Sequence, residues 1–147
     1  MKPGIITKSE FKVIGMKITC DWSLLSVEMP KLWWVFIQRA CEIRGRSSDY
    51  MIDMNLQVIG NEFTELICVE VDELRHIPEG MVGLTIPSQR YAYLKHEGPV
   101  EEIWKSFGEL QNWIAEAGHT KDPLDFKMDY CPKDQTSPHE LFQKIVD

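Results

Sequence analysis

The feature of this sequence that most restricts its fold is that it reads as one unit written twice. Phe11-Lys12-Val13 matches Tyr91-Ala92-Tyr93 at an offset of 80 residues, and Ile6 and Ile86 keep that offset. Trp33-Trp34 matches Ile103-Trp104 at 70, after which Ile37 and Ala40 meet Phe107 and Leu110. Tyr50-Met51-Ile52-Asp53 matches Phe126-Lys127-Met128-Asp129 at 76, and Glu65-Leu66-Ile67 matches Glu140-Leu141-Phe142 at 75. Pieces recurring in one order, with offsets that drift only through loops, are the mark of a duplicated unit.

Periodicity says what the unit contains. From Pro30 to Arg44, the residues Trp33, Phe36, Ile37, Ala40 and Ile43 return every three or four positions, and Gly45 suits the exit of a helix. From Val100 to Ala117, Ile103, Phe107, Leu110, Trp113 and Ile114 do the same, led in by Pro99 and closed by Gly118. Strands are predicted at Phe11 to Thr19, Tyr50 to Val58, Phe63 to Val71, Leu84 to Ile86, Tyr91 to Glu97, Phe126 to Cys131 and Leu141 to Val146. The unit is therefore strand, helix, strand, strand. With one helix to cover one sheet it is marginal alone, so two units must share a core. The expected fold is α+β: tandem pseudo-twofold repeats, about residues 1–75 and 80–147 of a single domain, with an antiparallel sheet and two main helices. A groove between the repeats is the natural ligand site.

Composition narrows the function. Sixteen Lys and Arg against 23 Asp and Glu give a net charge of −7, which argues against direct DNA binding through phosphate neutralisation. No apolar run approaches the ~20 residues that span a bilayer, so no membrane partner is expected. The start, Met1 to Thr7, lacks the apolar stretch and cleavage site of a signal peptide, which makes the cytoplasm the expected compartment. Cys20, Cys41, Cys68 and Cys131 form no Cys-x-x-Cys pair, and His76, His96, His119 and His139 are scattered. Reduced thiols, no metal and no cofactor are expected.

Several residues are candidates for the groove. Trp34 and Trp104 flank the buried helix stripes at matched angles and would serve as groove walls, or else finish the edge of the core. Phe11 and Tyr91 are repeat equivalents, and Tyr93 shares the strand face of Tyr91, either lining a ligand or half-buried. Glu65 interrupts the apolar strand Phe63 to Val71, where a carboxylate needs a partner or a bound cation, or else reaches water. Glu140 is its equivalent. Trp33, Phe36, Phe107 and Trp113 are expected to pack in the core.

The segment Phe63 to Val71, then Ile77-Pro78-Glu79-Gly80-Met81, Ile86-Pro87-Ser88-Gln89-Arg90-Tyr91-Ala92 and Lys95-His96-Glu97-Gly98-Pro99, resembles the GyrI-like small-molecule-binding domain. That is the AraC-type effector-binding domain of bacterial multidrug-responsive transcription regulators. Met29-Pro30-Lys31-Leu32-Trp33 and Asp125-Phe126 extend the resemblance over essentially the whole chain. It implies a tandem duplication and a groove for aromatic, lipophilic, often cationic compounds. The chain is too short to add a DNA-binding domain, so a stand-alone sensing or sequestering member, monomer or homodimer, is expected. The resemblance also brings alternatives: a gyrase-inhibitor-like protein, or a hydrolase of strained toxic compounds, with Glu65 or Glu140 as the working carboxylate. No nucleophile–base–orienter set is visible in the sequence. One departure stands out. Where such domains carry Phe-Glu-x-Tyr, this chain has Phe126-Lys127-Met128-Asp129, so Lys127 and Asp129 replace a glutamate and a tyrosine of the groove. Glu65 in turn takes a position often held by tyrosine, which leaves the charge preference of the ligand open.

Overall fold

The computed structural model describes residues 2–134 and 136–147. Eight strands and two helices follow in the order β1 (Gly4–Lys8), β2 (Phe11–Asp21), α1 (Leu25–Arg39), β3 (Met51–Ile59), β4 (Glu62–Val71), β5 (Val82–Ile86), β6 (Gln89–His96), α2 (Ile103–Glu116), β7 (Lys127–Cys131) and β8 (His139–Lys144). All strand pairs are antiparallel, in the spatial order β1-β6-β8-β7-β3-β4-β2-β5. Exchanging the two halves of the chain turns this order into its own reverse, with β3 and β7 meeting at the centre. The expected fold class is thus observed.

Neighbours in sequence lie far apart in that order. β1 and β2 are joined only by Ser9 and Glu10, and β5 and β6 only by Pro87 and Ser88, yet each pair spans much of the sheet. Links so short force the sheet to curl into a half-barrel. Its inner face holds one core, including Val13, Ile52, Met54, Leu66, Tyr91, Met128 and Phe142. The outer face carries the helices. Phe36 of α1 and Ala40, in the 3-10 turn that follows it, pack on Ile14, Ile67, Val69 and Val71 of β2 and β4. Leu110 and Ile114 of α2 pack on Ala92, Leu94 and Leu141 of β6 and β8. Fully burying side chains of this size contributes about 1.5–3 kcal/mol each, which is what fixes each helix over its own half.

Local details differ from the sequence expectation for identifiable reasons. β1 is an additional strand; its partner β6 lies in the other half of the chain, where no local signal can show it. Helix α1 starts at Leu25, before Pro30. Asp21 accepts the backbone N–H of Ser23 at 2.9 Å and opens a 3-10 turn there, so the proline sits inside the helix, near its start. The repeat offsets also shift. β1 and β5 start at Gly4 and Val82, β2 and β6 at Phe11 and Gln89, and α1 and α2 at Leu25 and Ile103, all 78 apart. Trp34 and Trp104 are therefore not equivalent: Trp104 is next to the first residue of α2, whereas Trp34 lies in the second half of α1.

The pairing of Glu65 with Glu140 is likewise corrected. Asp53 pairs with Asp129 across the central strands, Asp53 with Ile67, and Asp129 with Leu141, so Ile67 corresponds to Leu141 and Glu65 to His139. An offset of one residue reverses the face of a strand. Glu65 points to the helix side and Glu140 to the inner side.

Candidate functional site

The helices stand over β2/β4 and β6/β8, which leaves the central pair β3/β7 as the floor of a groove between them. Alternation puts Asp53 and Asn55 of β3, Glu65 of β4, and Lys127, Asp129 and Cys131 of β7 on this one face. Asn55 sits opposite Glu65 on one side and Lys127 on the other, and Asp53 sits opposite Asp129. A row of polar residues thus crosses the middle of the sheet where the flanking strands are apolar.

Its charges are unevenly satisfied. Lys127 is held by Asp125, and its ammonium lies 6.0 Å from the Phe107 ring centroid of α2. The Asn55 side-chain N–H donates to the Asp125 carbonyl at 2.6 Å. His139 Nδ1 meets Asp129 at 2.8 Å. Glu65 has no such partner. It is buried, and among the described residues no N–H or hydroxyl reaches its Oε2 or the Oδ1 of neighbouring Asn55. Its carboxyl meets that of Asp53, and the Trp33 indole beside Asp53 favours the ionised form of that aspartate. Burial, and then the proximity of Asp53, pushes the Glu65 carboxyl far above the ordinary range. Burial and the charge of Asp129 push Asp53 up as well. The buried Glu65 carboxyl and the half-buried Asp53 carboxyl, in contact, cannot both ionise freely, so the pair holds a proton near neutral pH.

Trp33 connects this floor to open space. It lines a depression of about 400 Å³ together with Ile37, Met51 and Cys131, and the charged residues of that lining are Arg46, Asp49 and Lys133. That volume is within the range of small-molecule sites. Trp34 and Trp104 are each 69 % exposed, and neither lines that depression.

The other nominated residues lie on the opposite face. Tyr91 is fully buried and its hydroxyl accepts from Gln89 at 2.7 Å. Tyr93 donates to Glu140 at 2.8 Å. Phe11, Tyr130 and Phe142 surround the Lys8 ammonium at 5.1, 5.0 and 5.2 Å from their ring centroids. This inner aromatic set is already occupied by a cation of the chain itself. The structure therefore brings Glu65, Lys127 and Asp129 together and separates them from Phe11, Tyr91, Tyr93 and Glu140. Asp53 is not among the residues the sequence singles out, whereas Trp33, expected in the core, packs against it and also lines the depression. An aspartate repeated at the central pairing of a duplicated chain was the available signal for the first. Among the described residues no helix is long and apolar enough to cross a membrane.

Comparison with known proteins agrees with this architecture. Residues 4–139 match Cass2, the family of integron-associated effector binding proteins. The chain is 32 % identical over 130 residues to the transcriptional regulator BrlR of Pseudomonas aeruginosa, covering 86 % of this chain but 47 % of the regulator. It thus spans about half the length of that relative. Among solved structures, SAV2435 bound to tetraphenylphosphonium superposes with a TM-score of 0.81 at 14 % identity, covering 99 % of this chain and 94 % of the other. The integron cassette protein VCH_CASS2 of Vibrio cholerae superposes with a TM-score of 0.73 at 14 % identity, covering 98 % and 95 %. At such identities these two show the fold alone. The family match covers most of the chain, and the protein belongs to the Cass2 family of integron-associated effector binding proteins.

Proposed function

We propose that the groove between α1 and α2 binds aromatic, lipophilic cations, and that the Asp53–Glu65 pair is its acidic floor. The observation that carries this reading is the buried Glu65 Oε2, beside Asn55 Oδ1, with no donor from the fold. Acceptors left without donors in a low-dielectric site favour a ligand that brings positive charge. Lys127 does not cancel that preference by contact, because Asp125 holds its ammonium. A cation settling over the pair would expel the shared proton and leave both carboxylates ionised. Trp33, which lines the 400 Å³ depression beside Asp53, would supply the aromatic wall, and the exposed Trp34 and Trp104 lie outside that lining. The relative solved with tetraphenylphosphonium supports this class of ligand. In this reading the protein senses or sequesters drug-like cations in the cytoplasm, where its four free cysteines stay reduced.

Tryptophan fluorescence tests the geometry. Tetraphenylphosphonium is expected to quench emission saturably. Trp33→Phe is expected to remove most of the change and weaken binding by about tenfold, consistent with loss of a large aromatic contact. The Trp34→Phe, Trp104→Phe double variant is expected to keep most of it. Undiminished quenching in Trp33→Phe would place the ligand elsewhere.

A further inference from the structure

We propose that Asp129, Cys131 and His139 form a binding site for a borderline-soft divalent cation, zinc above all, at the end of the groove floor. The three come together through sheet geometry rather than through a sequence motif. Asp129 and Cys131 are two apart on β7 and share a face, and the pairing of β7 with β8 carries His139 to the position beside them. One ligand atom from each, a carboxylate oxygen, a thiol sulfur and an imidazole nitrogen, lies within 4.8 Å of the other two. A tetrahedral zinc with bonds of about 2.0–2.3 Å places its ligand atoms roughly 3.3–3.8 Å apart, so side-chain rotation alone closes the set. The side chains of Asp129 and His139 are each only 14 % exposed. Cys131 also lines the open depression, which leaves a fourth position for water or for another ligand.

The hydrogen bonding around Cys131 is not that of a catalytic thiol. Cys131 Sγ donates to the Asp129 carbonyl at 3.7 Å and not to the imidazole, and His139 Nδ1 is engaged with the Asp129 carboxylate. On binding, the thiol proton leaves to solvent, and the Nδ1 proton moves to Nε2 or to solvent. The bond from sulfur to metal then offsets the surplus of carboxylates around it. The Asp53 carboxylate, across the strand pair from Asp129, adds negative charge close by.

Titration of the reduced full-length chain with Co²⁺ and Zn²⁺ tests the proposal. One Co²⁺ per chain is expected, with a thiolate-to-cobalt charge-transfer band and visible bands of tetrahedral intensity that Zn²⁺ abolishes. Cys131→Ser and His139→Gln are expected to lower affinity at least a hundredfold, while Cys41→Ser, at an exposed cysteine, leaves it unchanged. Circular dichroism checks that each variant folds. Cadmium-113 NMR of the wild-type chain reports the ligand set without any substitution, and a shift in the range of one sulfur with nitrogen and oxygen donors is expected. No thiolate band in the folded wild type, or a band that persists in Cys131→Ser, overturns the proposal. A cadmium shift typical of oxygen ligands alone does so too.

Discussion

Glu65→Gln is expected to make the protein more stable at pH 9, and to flatten the pH dependence of its stability. The sign follows from linkage. The Glu65 and Asp53 carboxyls are both raised in the folded state, so the folded chain holds more protons than the unfolded chain above about pH 4. Their contribution is present in full at acidic pH and is lost as pH rises through the raised folded values. An ionised Glu65 facing Asp53 in a buried position costs on the order of 2–4 kcal/mol, and a glutamine of the same shape removes that charge. Urea unfolding of both proteins from pH 5 to pH 9 measures it. Parallel profiles would show that Glu65 ionises freely and would remove the shared proton from the account.

Gly15→Ala is expected to be severely destabilising, by more than about 3 kcal/mol, or to prevent folding. Gly15 sits where β2 pairs with β4 on one side and β5 on the other, opposite Cys68 and Val82. A Cβ built there would lie 2.0 Å from the Ile67 carbonyl oxygen and 2.6 Å from Cys68 Cα. Both are backbone atoms of a central strand and cannot rotate away, so relief requires β2 and β4 to separate. Large effects of single substitutions come from overpacking of this kind. As a control, Gly108→Ala in the middle of α2, where an added Cβ meets nothing within 4 Å, is expected to be neutral or stabilising by about 0.5–1 kcal/mol. Equal stability of Gly15→Ala and wild type in denaturant unfolding would contradict the close strand approach.

The architecture was legible because duplication leaves a pattern that survives divergence. Apolar returns at three and four marked both helices, and alternation marked all strands but one. β1 escaped because Gly4 to Lys8 is short, and its pairing with β6 depends on chain brought from the other half. The candidate site was legible at Glu65, a carboxylate inside an apolar strand, but its surroundings were not. Matching Glu65-Leu66-Ile67 to Glu140-Leu141-Phe142 by letter gave a register one residue out, and in a strand that reverses the face. Strand pairing, not residue identity, sets the equivalence, and it puts His139 in the place assigned to Glu140. Trp33 does pack against the core of its half, as its place in the helical stripe implies, but a helical stripe carries no information on which edge residue also lines a depression. The drift of the offset from 70 to 78 along the helices separated Trp34 from Trp104 for the same reason: two amphipathic helices align nearly as well one or two turns out of phase.

Calorimetric titration of tetraphenylphosphonium and of neutral triphenylphosphine oxide, against wild type and Glu65→Gln, tests the acidic floor most directly. The wild type is expected to prefer the cation. Glu65→Gln should weaken cation binding by about 1–3 kcal/mol, the effect of removing a partly desolvated counter-charge, and leave the neutral compound nearly unchanged. Cation binding to the wild type is also expected to release a proton near neutral pH, visible as a heat that varies with the ionisation enthalpy of the buffer. Equal losses for both ligands, or a cation affinity indifferent to Glu65→Gln, would contradict it.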